Sequence, residues 1–324
     1  MATATYMQMP NDLLRISDLS ASQIAQLLDL AVRMRDAPGG WTDSLRGQSV
    51  ACFFEKPSTR TRVSFAAAAY RLGMQPILLR PDELQLGRGE TLADTARVLS
   101  SYASAIVIRT FAQHTLEIIA EEASVPVINA LSDTHHPCQA LADLLTIRDY
   151  FGRLDEVRLT YVGEGNNVAH SLLEAGALMG MHVTMATPPQ LAPNLRIVAQ
   201  ANELARTHGG SLRLLSAPIA AVRDAQVVYT DVWVSMGAEA QQQEHMAALA
   251  PYQVNPVLLA HARPEAIFMH CLPAHRGQEV TPDVIDGPQS QVWRQAANRM
   301  HTEQALLYLL VTGTAAYGSR NRVT

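Results

Sequence analysis

Along the first half of the chain, short apolar and β-branched runs alternate with longer segments whose apolar residues fall three and four apart. Val50 to Phe54, Pro76 to Leu79, Ala105 to Ile108 and Val125 to Asn129 have the length and composition of buried strands. Between them, Thr61 to Leu72, Thr91 to Tyr102 and Thr115 to Ala123 have the spacing of amphipathic helices, which cover a sheet with one apolar stripe. Leu141 to Tyr150 continues as a helix. Such alternation is the mark of βαβ units, in which crossover helices join parallel strands.

The pattern breaks at Phe151-Gly152-Arg153-Leu154-Asp155, where a glycine and two charges interrupt it, and resumes with strands at Val157 to Val162, His182 to Ala186, Leu212 to Leu215, Gln226 to Tyr229 and Ile267 to His270. A last helical stretch, Val292 to Val311, carries Met300, Leu306, Leu307, Leu309 and Leu310 and needs a surface to bury them. The expected fold is therefore α/β, with two doubly wound domains of mostly parallel strands. They cover about residues 1–150 and 151–291, are linked by helices, and the C-terminal helix at about 292–324 joins the first. A length of 324 residues agrees, since single cores stop growing near ~250–300 residues.

Composition narrows the chemistry. A net charge of -5 argues against a broad basic surface for nucleic acid but leaves room for a local anion site. Three scattered cysteines, Cys52, Cys138 and Cys271, suggest neither a disulfide framework nor a paired-cysteine metal site, which fits a reducing cytoplasm. No apolar run is long enough to span a membrane, and the N-terminus lacks a targeting pattern.

Polar residues with chemical potential stand where strands give way to helices. After Val50 to Phe54, the segment Ser58-Thr59-Arg60-Thr61-Arg62 sets hydroxyls and guanidinium forks at a helix N-terminus, where unpaired N–H groups and the helix dipole favour an anion. Plain capping by Ser58 is the competing reading. Arg109 ends another strand, the place where open α/β sheets gather ligand-binding groups. The run Asp133 to Gln139 leads into a helix with Pro137 in its first turn, so His136 and Gln139 can point at one site and donate to a carbonyl oxygen. Adjacent histidines share no helix face, which disfavours a metal.

Gly163-Glu164-Gly165-Asn166-Asn167-Val168 looks like the start of a dinucleotide fingerprint, but Val168 stands in place of the third glycine and the next strand ends without an acidic residue. Thr230 to Gly237 offers the Asp231 carboxylate and the Ser235 hydroxyl after a strand, suited to an amine. Cys271 ends the last strand, where packing is the alternative role.

Taken together, Ser58-Thr59-Arg60-Thr61-Arg62, His136-Pro137-Cys138-Gln139, Asp231 to Gly237 and His270-Cys271-Leu272-Pro273 resemble, in order and spacing, the ornithine carbamoyltransferases of the aspartate/ornithine carbamoyltransferase superfamily. The resemblance runs from about Leu13 to about Tyr308. It implies a first domain for carbamoyl phosphate and a second for ornithine, giving citrulline and phosphate in arginine metabolism. It implies a homotrimer or a multiple of trimers with shared active sites, and no metal or organic cofactor.

By the same resemblance Ser58, Thr59, Arg60 and Thr61 bind phosphate, and Arg109, His136 and Gln139 bind and polarise the carbamoyl group. Gln85 reaches a neighbouring subunit's site, and Arg299 adds a further contact to carbamoyl phosphate. Asn167, Asp231, Ser235 and Met236 bind ornithine, while Cys271 and Leu272 line the reacting centre. Aspartate as acceptor is disfavoured, because Gln85 stands where a lysine is expected and Ser235-Met236-Gly237 replaces a Pro-Leu-Pro-Arg type segment. Putrescine or N-acylornithine as acceptor, a dinucleotide-dependent oxidoreductase and a noncatalytic binding module are the other readings.

Overall fold

A computed structural model describes residues 6–83, 85, 89–233 and 242–317. They divide into two compact units, residues 1–142 with 298–324 and residues 143–297.

The first unit opens with α1 (Ala21–Asp36), which the strand-helix pattern above leaves out. Its start is nonetheless written locally: the Ser20 hydroxyl accepts the Gln23 N–H, and the Gln23 side chain accepts the Ser20 N–H, a capping box. Ile24, Leu27, Leu28, Ala31 and Met34 form its buried stripe. Then follow β1 (Ser49–Phe54), α2 (Arg60–Arg71), β2 (Gln75–Leu79), α3 (Leu92–Tyr102), β3 (Ala105–Arg109), α4 (Gln113–Glu122), β4 (Val127–Leu131) and α5 (Pro137–Phe151). The strands form one parallel sheet in the order β2-β1-β3-β4. Central β1 and β3 are buried nearly throughout, as expected for a sheet covered on both faces. Phe53, Ile106, Ile108, Leu116, Ile119 and Val127 share one core cluster.

Three sequence expectations need correction here. The fourth strand lies two residues later than Val125 to Asn129, because Pro126 offers no N–H to the ladder, and pairing with β3 starts at Val127. Helix α4 begins at Gln113 rather than Thr115. Helix α5 starts at Pro137, four residues before Leu141, with proline in its first turn. The predicted break at Phe151 to Asp155 does end α5, and Gly152 takes a left-handed φ of 74° while its N–H closes on the Arg148 carbonyl.

In the second unit β5 (Arg158–Val162), α6 (Asn167–Leu178), β6 (His182–Ala186), α7 (Leu195–His208), β7 (Ser211–Leu215), α8 (Pro218–Val222), β8 (Val227–Thr230), α9 (Gln242–Leu249), α10 (Pro256–Leu259), β9 (Ile267–His270), α11 (Pro282–Ile285) and the start of α12 (Val292–Tyr317) follow in order. The parallel sheet has the order β7-β6-β5-β8-β9. Val162, Trp233, Leu249, Tyr252, Phe268 and Val292 are among the residues of its core. The chain passes from one unit to the other inside α5 and returns inside α12. Two α/β units with parallel sheets are therefore present, as the sequence pattern predicts.

Strand order fixes where ligands can sit. Each sheet reverses its winding direction once, between β1 and β3 in the first and between β5 and β8 in the second. At such switch points the loops leaving neighbouring strands diverge and open a crevice at the carboxyl ends.

Candidate active site

At the switch point of the first sheet, β1 delivers the Ser58 to Arg62 segment and β3 delivers Arg109, with Phe54 opposite Arg109 in the ladder. Glu55 ties the two loops together: its N–H donates to the Arg109 carbonyl at 2.8 Å, and its carboxylate accepts the Thr110 hydroxyl and the Phe111 N–H. Thr59 occupies the N-cap of α2 without a capping side chain. Ser58 instead accepts the Thr61 N–H at 3.3 Å, so capping and ligand reading apply to the same hydroxyl. Arg60 begins α2 and is half-buried, whereas Arg62 turns away and lies over the Phe54 ring at 5.2 Å.

The densest polar contacts come from α12. Arg299 is buried, donating from Nη1 to Gln139 Oε1 and from Nη2 to Thr61 Oγ1, each at 3.0 Å. Its Nε and Nη2 also donate to Glu303 Oε1 at 3.1 and 2.9 Å. One guanidinium thus joins three separately predicted segments: the start of α2, the start of α5 and the C-terminal helix. Arg109, His136 and Gln139 are all buried in the same unit. Burial holds the His136 imidazole well below its ordinary value, reinforced by the positive Arg299 and Arg109, so it is a neutral donor or acceptor near pH 7. Glu303 is pushed the other way by burial, partly offset by Arg299 and by hydrogen bonds from Ser64 and Arg299.

The second switch point is built around Asp231, just beyond β8 and buried. Asn166, leaving β5, caps α6 by accepting the Val168 and Ala169 N–H groups, while its amide nitrogen donates to Asp231 Oδ2 at 2.8 Å. Cys271, leaving β9, gives its Sγ hydrogen to Asp231 Oδ1 at 2.8 Å. Asn167 is the first residue of α6 and half-buried. Leu272 has a left-handed φ of 58°, and its N–H is held by His270 Nδ1 at 2.9 Å. His270 Nε2 faces the buried Glu279 carboxylate at 3.2 Å.

Asp231, His270 and Cys271 present ligand atoms within 4.8 Å of one another. Both His270 ring nitrogens and the Cys271 hydrogen are already engaged, so a cation bound by all three residues must displace the Cys271–Asp231 hydrogen bond and one of the two on the imidazole. The Asp231 carboxylate is thus held from two sides.

Ser235 and Met236 lie outside the described residues. Gln85 is exposed in the segment after β2. Two participants escaped the sequence reading. Asn166, next to the predicted Asn167, contacts Asp231, and its position as helix N-cap was the available signal. Glu303 stands one helical turn after Arg299, an (i, i+4) spacing that predicts an ion pair.

Two family descriptions match the chain: the carbamoyl-phosphate binding domain of aspartate/ornithine carbamoyltransferases over residues 11–149, and their Asp/Orn binding domain over residues 155–310. The ornithine carbamoyltransferase of Anoxybacillus flavithermus is 48% identical over 311 residues, covering 95% of this chain and 99% of the relative. An anabolic ornithine carbamoyltransferase of Pyrococcus furiosus is 49% identical over 304 residues, covering 93% and 96%. The solved ornithine carbamoyltransferase of Pyrococcus furiosus superposes with a TM-score of 0.92 at 48% identity, over 95% of this chain and 99% of that one. That of Thermus thermophilus gives 0.85 at 38% identity, over 94% and 99%. By sequence over nearly its whole length and by fold, this chain belongs to the aspartate/ornithine carbamoyltransferase family.

Proposed function

We propose that the protein transfers the carbamoyl group of carbamoyl phosphate to the δ-amine of L-ornithine, giving L-citrulline and phosphate. The observation that carries this reading is the Arg299 guanidinium, buried and forked between Thr61 and Gln139. It places a cation, a hydroxyl and an amide at the N-termini of α2 and α5, the setting that suits a phosphate with an attached carbonyl. Ser58, Thr59, Arg60, Thr61 and Arg299 bind the phosphate. Arg109, His136 and Gln139 bind the carbamoyl oxygen, and Gln85 completes the same site from a neighbouring subunit.

Asp231 takes the α-amino group of ornithine, Asn167 and the Met236 backbone take its carboxylate, Ser235 adds a hydroxyl, and Cys271 and Leu272 line the reacting centre. The acceptor is supported by the buried Asp231 carboxylate, which both neighbours hold without neutralising it.

The reaction asks mainly for positioning. The neutral δ-amine attacks the carbonyl carbon, charge builds on the carbonyl oxygen, and the phosphate departs with a proton from the amine. Neutral His136 stabilises the oxyanion by donating a hydrogen bond and keeps the local charge on the arginines. No metal or organic cofactor enters these steps.

A homotrimer belongs to the same reading. Val63 and Tyr70 of α2 and Ile77 and Leu78 of the edge strand β2 are exposed apolar side chains on neighbouring elements, a surface suited to a second copy. A cytoplasmic place in arginine metabolism belongs to the same reading; Cys52, Cys138 and Cys271 form no disulfide, which suits a reducing compartment. Among the described residues no helix is long and apolar enough to cross a membrane.

The test is to supply carbamoyl phosphate with ornithine, aspartate, putrescine or N-acetylornithine and measure ureido product. Citrulline formation with the highest kcat/KM for ornithine is expected. Absence of product with every amine would overturn the enzyme reading, and preference for putrescine would overturn the acceptor.

A further inference from the structure

Gln295 lies in the first turn of α12, 1% exposed, and every atom of its amide is used. Its Oε1 accepts the His270 N–H at 3.0 Å. Its Nε2 donates to the Tyr229 hydroxyl at 3.0 Å and to Asp143 Oδ1 at 2.7 Å. Tyr229 and Asp143 are fully buried. Burial pushes the Tyr229 phenol well above its ordinary value, with the Asp143 carboxylate adding to the effect, so the hydroxyl keeps its proton. A single amide therefore gathers four elements: β8, β9, α5 and α12.

The positions of these partners give the contact its meaning. Tyr229 is two residues before Asp231, and His270 is the residue before Cys271. The carboxyl ends of the two strands that carry the amine-facing pair are thus fastened at the last point before the chain leaves the sheet. On the helical side, Asp143 stands one turn after Gln139 on α5, and Gln295 stands one turn before Arg299 on α12. Backbone contacts support the same junction, with the Gln291 N–H donating to the Phe268 carbonyl and the Phe268 N–H to the Gln289 carbonyl, each at 2.9 Å or less.

We propose that Gln295 is a positioning residue for the amine acceptor: by fastening the ends of β8 and β9 to the start of α12 and to Asp143 of α5, it fixes the place of Asp231 and Cys271. The proposal rests on the carbamoyltransferase reading above. Gln295 touches neither substrate. Its effect is one of alignment, where a shift of about 1 Å at a reacting pair costs on the order of 100-fold in rate.

The experiment compares the unaltered protein with Gln295→Leu and with the double variant Gln295→Glu/Asp143→Asn, which reverses the polarity of the amide-carboxylate contact while keeping an acceptor for the His270 N–H. Citrulline formation is measured at a temperature well below each melting point, with affinity for inorganic phosphate measured separately. For Gln295→Leu, kcat/KM for ornithine should fall about 10- to 100-fold while phosphate affinity changes less than about 3-fold. The double variant should recover at least part of that loss.

A variant that only melts earlier, with kcat/KM for ornithine unchanged, overturns the proposal. Equal losses in phosphate affinity and in kcat/KM for ornithine overturn it as well. Failure of the unaltered protein to form citrulline would instead strike the reading on which the proposal rests, so the two failures are separable.

Discussion

Replacing Arg299 by methionine removes four hydrogen bonds from a buried site, those to Gln139 and Thr61 and the two to Glu303. The severe consequence falls on Glu303, whose side chain is 1% exposed and would be left without its cation. Removing one partner of a buried pair typically costs ~3–5 kcal/mol. Protonation sets a ceiling on that cost, since Glu303 can take up a proton instead of staying charged. From an unfolded carboxyl near ~4.3, neutralisation costs about 1.4 kcal/mol per pH unit, hence roughly 4 kcal/mol at pH 7.5 and under about 2 at pH 5.5.

The direction of the pH dependence follows from the raised folded value. Burial lifts Glu303 above the ordinary carboxylate range even with Arg299 present, and losing Arg299 removes an opposing effect and lifts it further. A carboxyl raised on folding leaves stability intact below its unfolded value and erodes it as pH climbs toward the folded one. The gap between Arg299→Met and the unaltered protein should therefore be about 3–4 kcal/mol at pH 7.5 and shrink by at least half at pH 5.5, read by urea unfolding at one protein concentration. Arg299→Met/Glu303→Leu, which removes both charges, should regain most of the stability while KM for carbamoyl phosphate stays raised at least about tenfold. A single variant within about 1 kcal/mol of the parent, or a gap that is the same at both pH values, would refute the argument.

His136, held neutral by burial between two arginines, should contribute no step to the pH profile of kcat between pH 6 and 9. The rate should climb with pH as the amine loses its proton, and an ascending limb near ~6.5 that vanishes in His136→Gln would contradict this. Asn166→Ala removes the cap of α6 and the partner of Asp231, so thermal unfolding should show a loss of about 1 kcal/mol and the KM for ornithine should rise. Asn166→Asp keeps the cap but sets a second carboxylate against Asp231, so its KM should rise more than its stability falls. Cys52 and Cys138 are buried, with burial pushing the first thiol up to about 12 and the second higher still, so a thiol reagent should label only Cys271 until the protein unfolds.

Much of this was legible because local rules and tertiary demands coincide. The strands β1, β3, β6 and β9 fall within a residue of the apolar runs, since buried parallel strands are written as continuous hydrophobic stretches. Where the two disagree, the reading slipped. Val125 and Pro126 look like strand by composition, but Pro126 contributes only its carbonyl to the Ile106 N–H, and registered pairing with β3 starts at Val127. Helix α1 went unread because a helix with no strand before it does not belong to the alternation, although its capping box was in plain sight. For the site, Thr61 and Gln139 could be named from motifs, but nothing local says that a residue 160 positions after Gln139 holds it. Long-range pairing depends on strand order, and strand order is not written in any one segment.

Gly165 shows why a motif must be judged by its surroundings. In the sequence it sits where a dinucleotide-binding loop would bring its backbone against a pyrophosphate. In the fold, a Cβ placed on it would lie 2.1 Å from the Pro193 nitrogen and 2.6 Å from the Ala192 carbonyl carbon, so the glycine is required by the chain between β6 and α7. The Gly165 N–H donates to the Leu191 carbonyl at 2.8 Å, which closes that approach. With the loop pinned there, Asn166 is delivered to the α6 N-terminus with its amide facing Asp231. The same kind of strand-loop-helix unit that elsewhere receives a phosphate here holds the Asp231 carboxylate through Asn166, and the difference rests on what the glycine packs against.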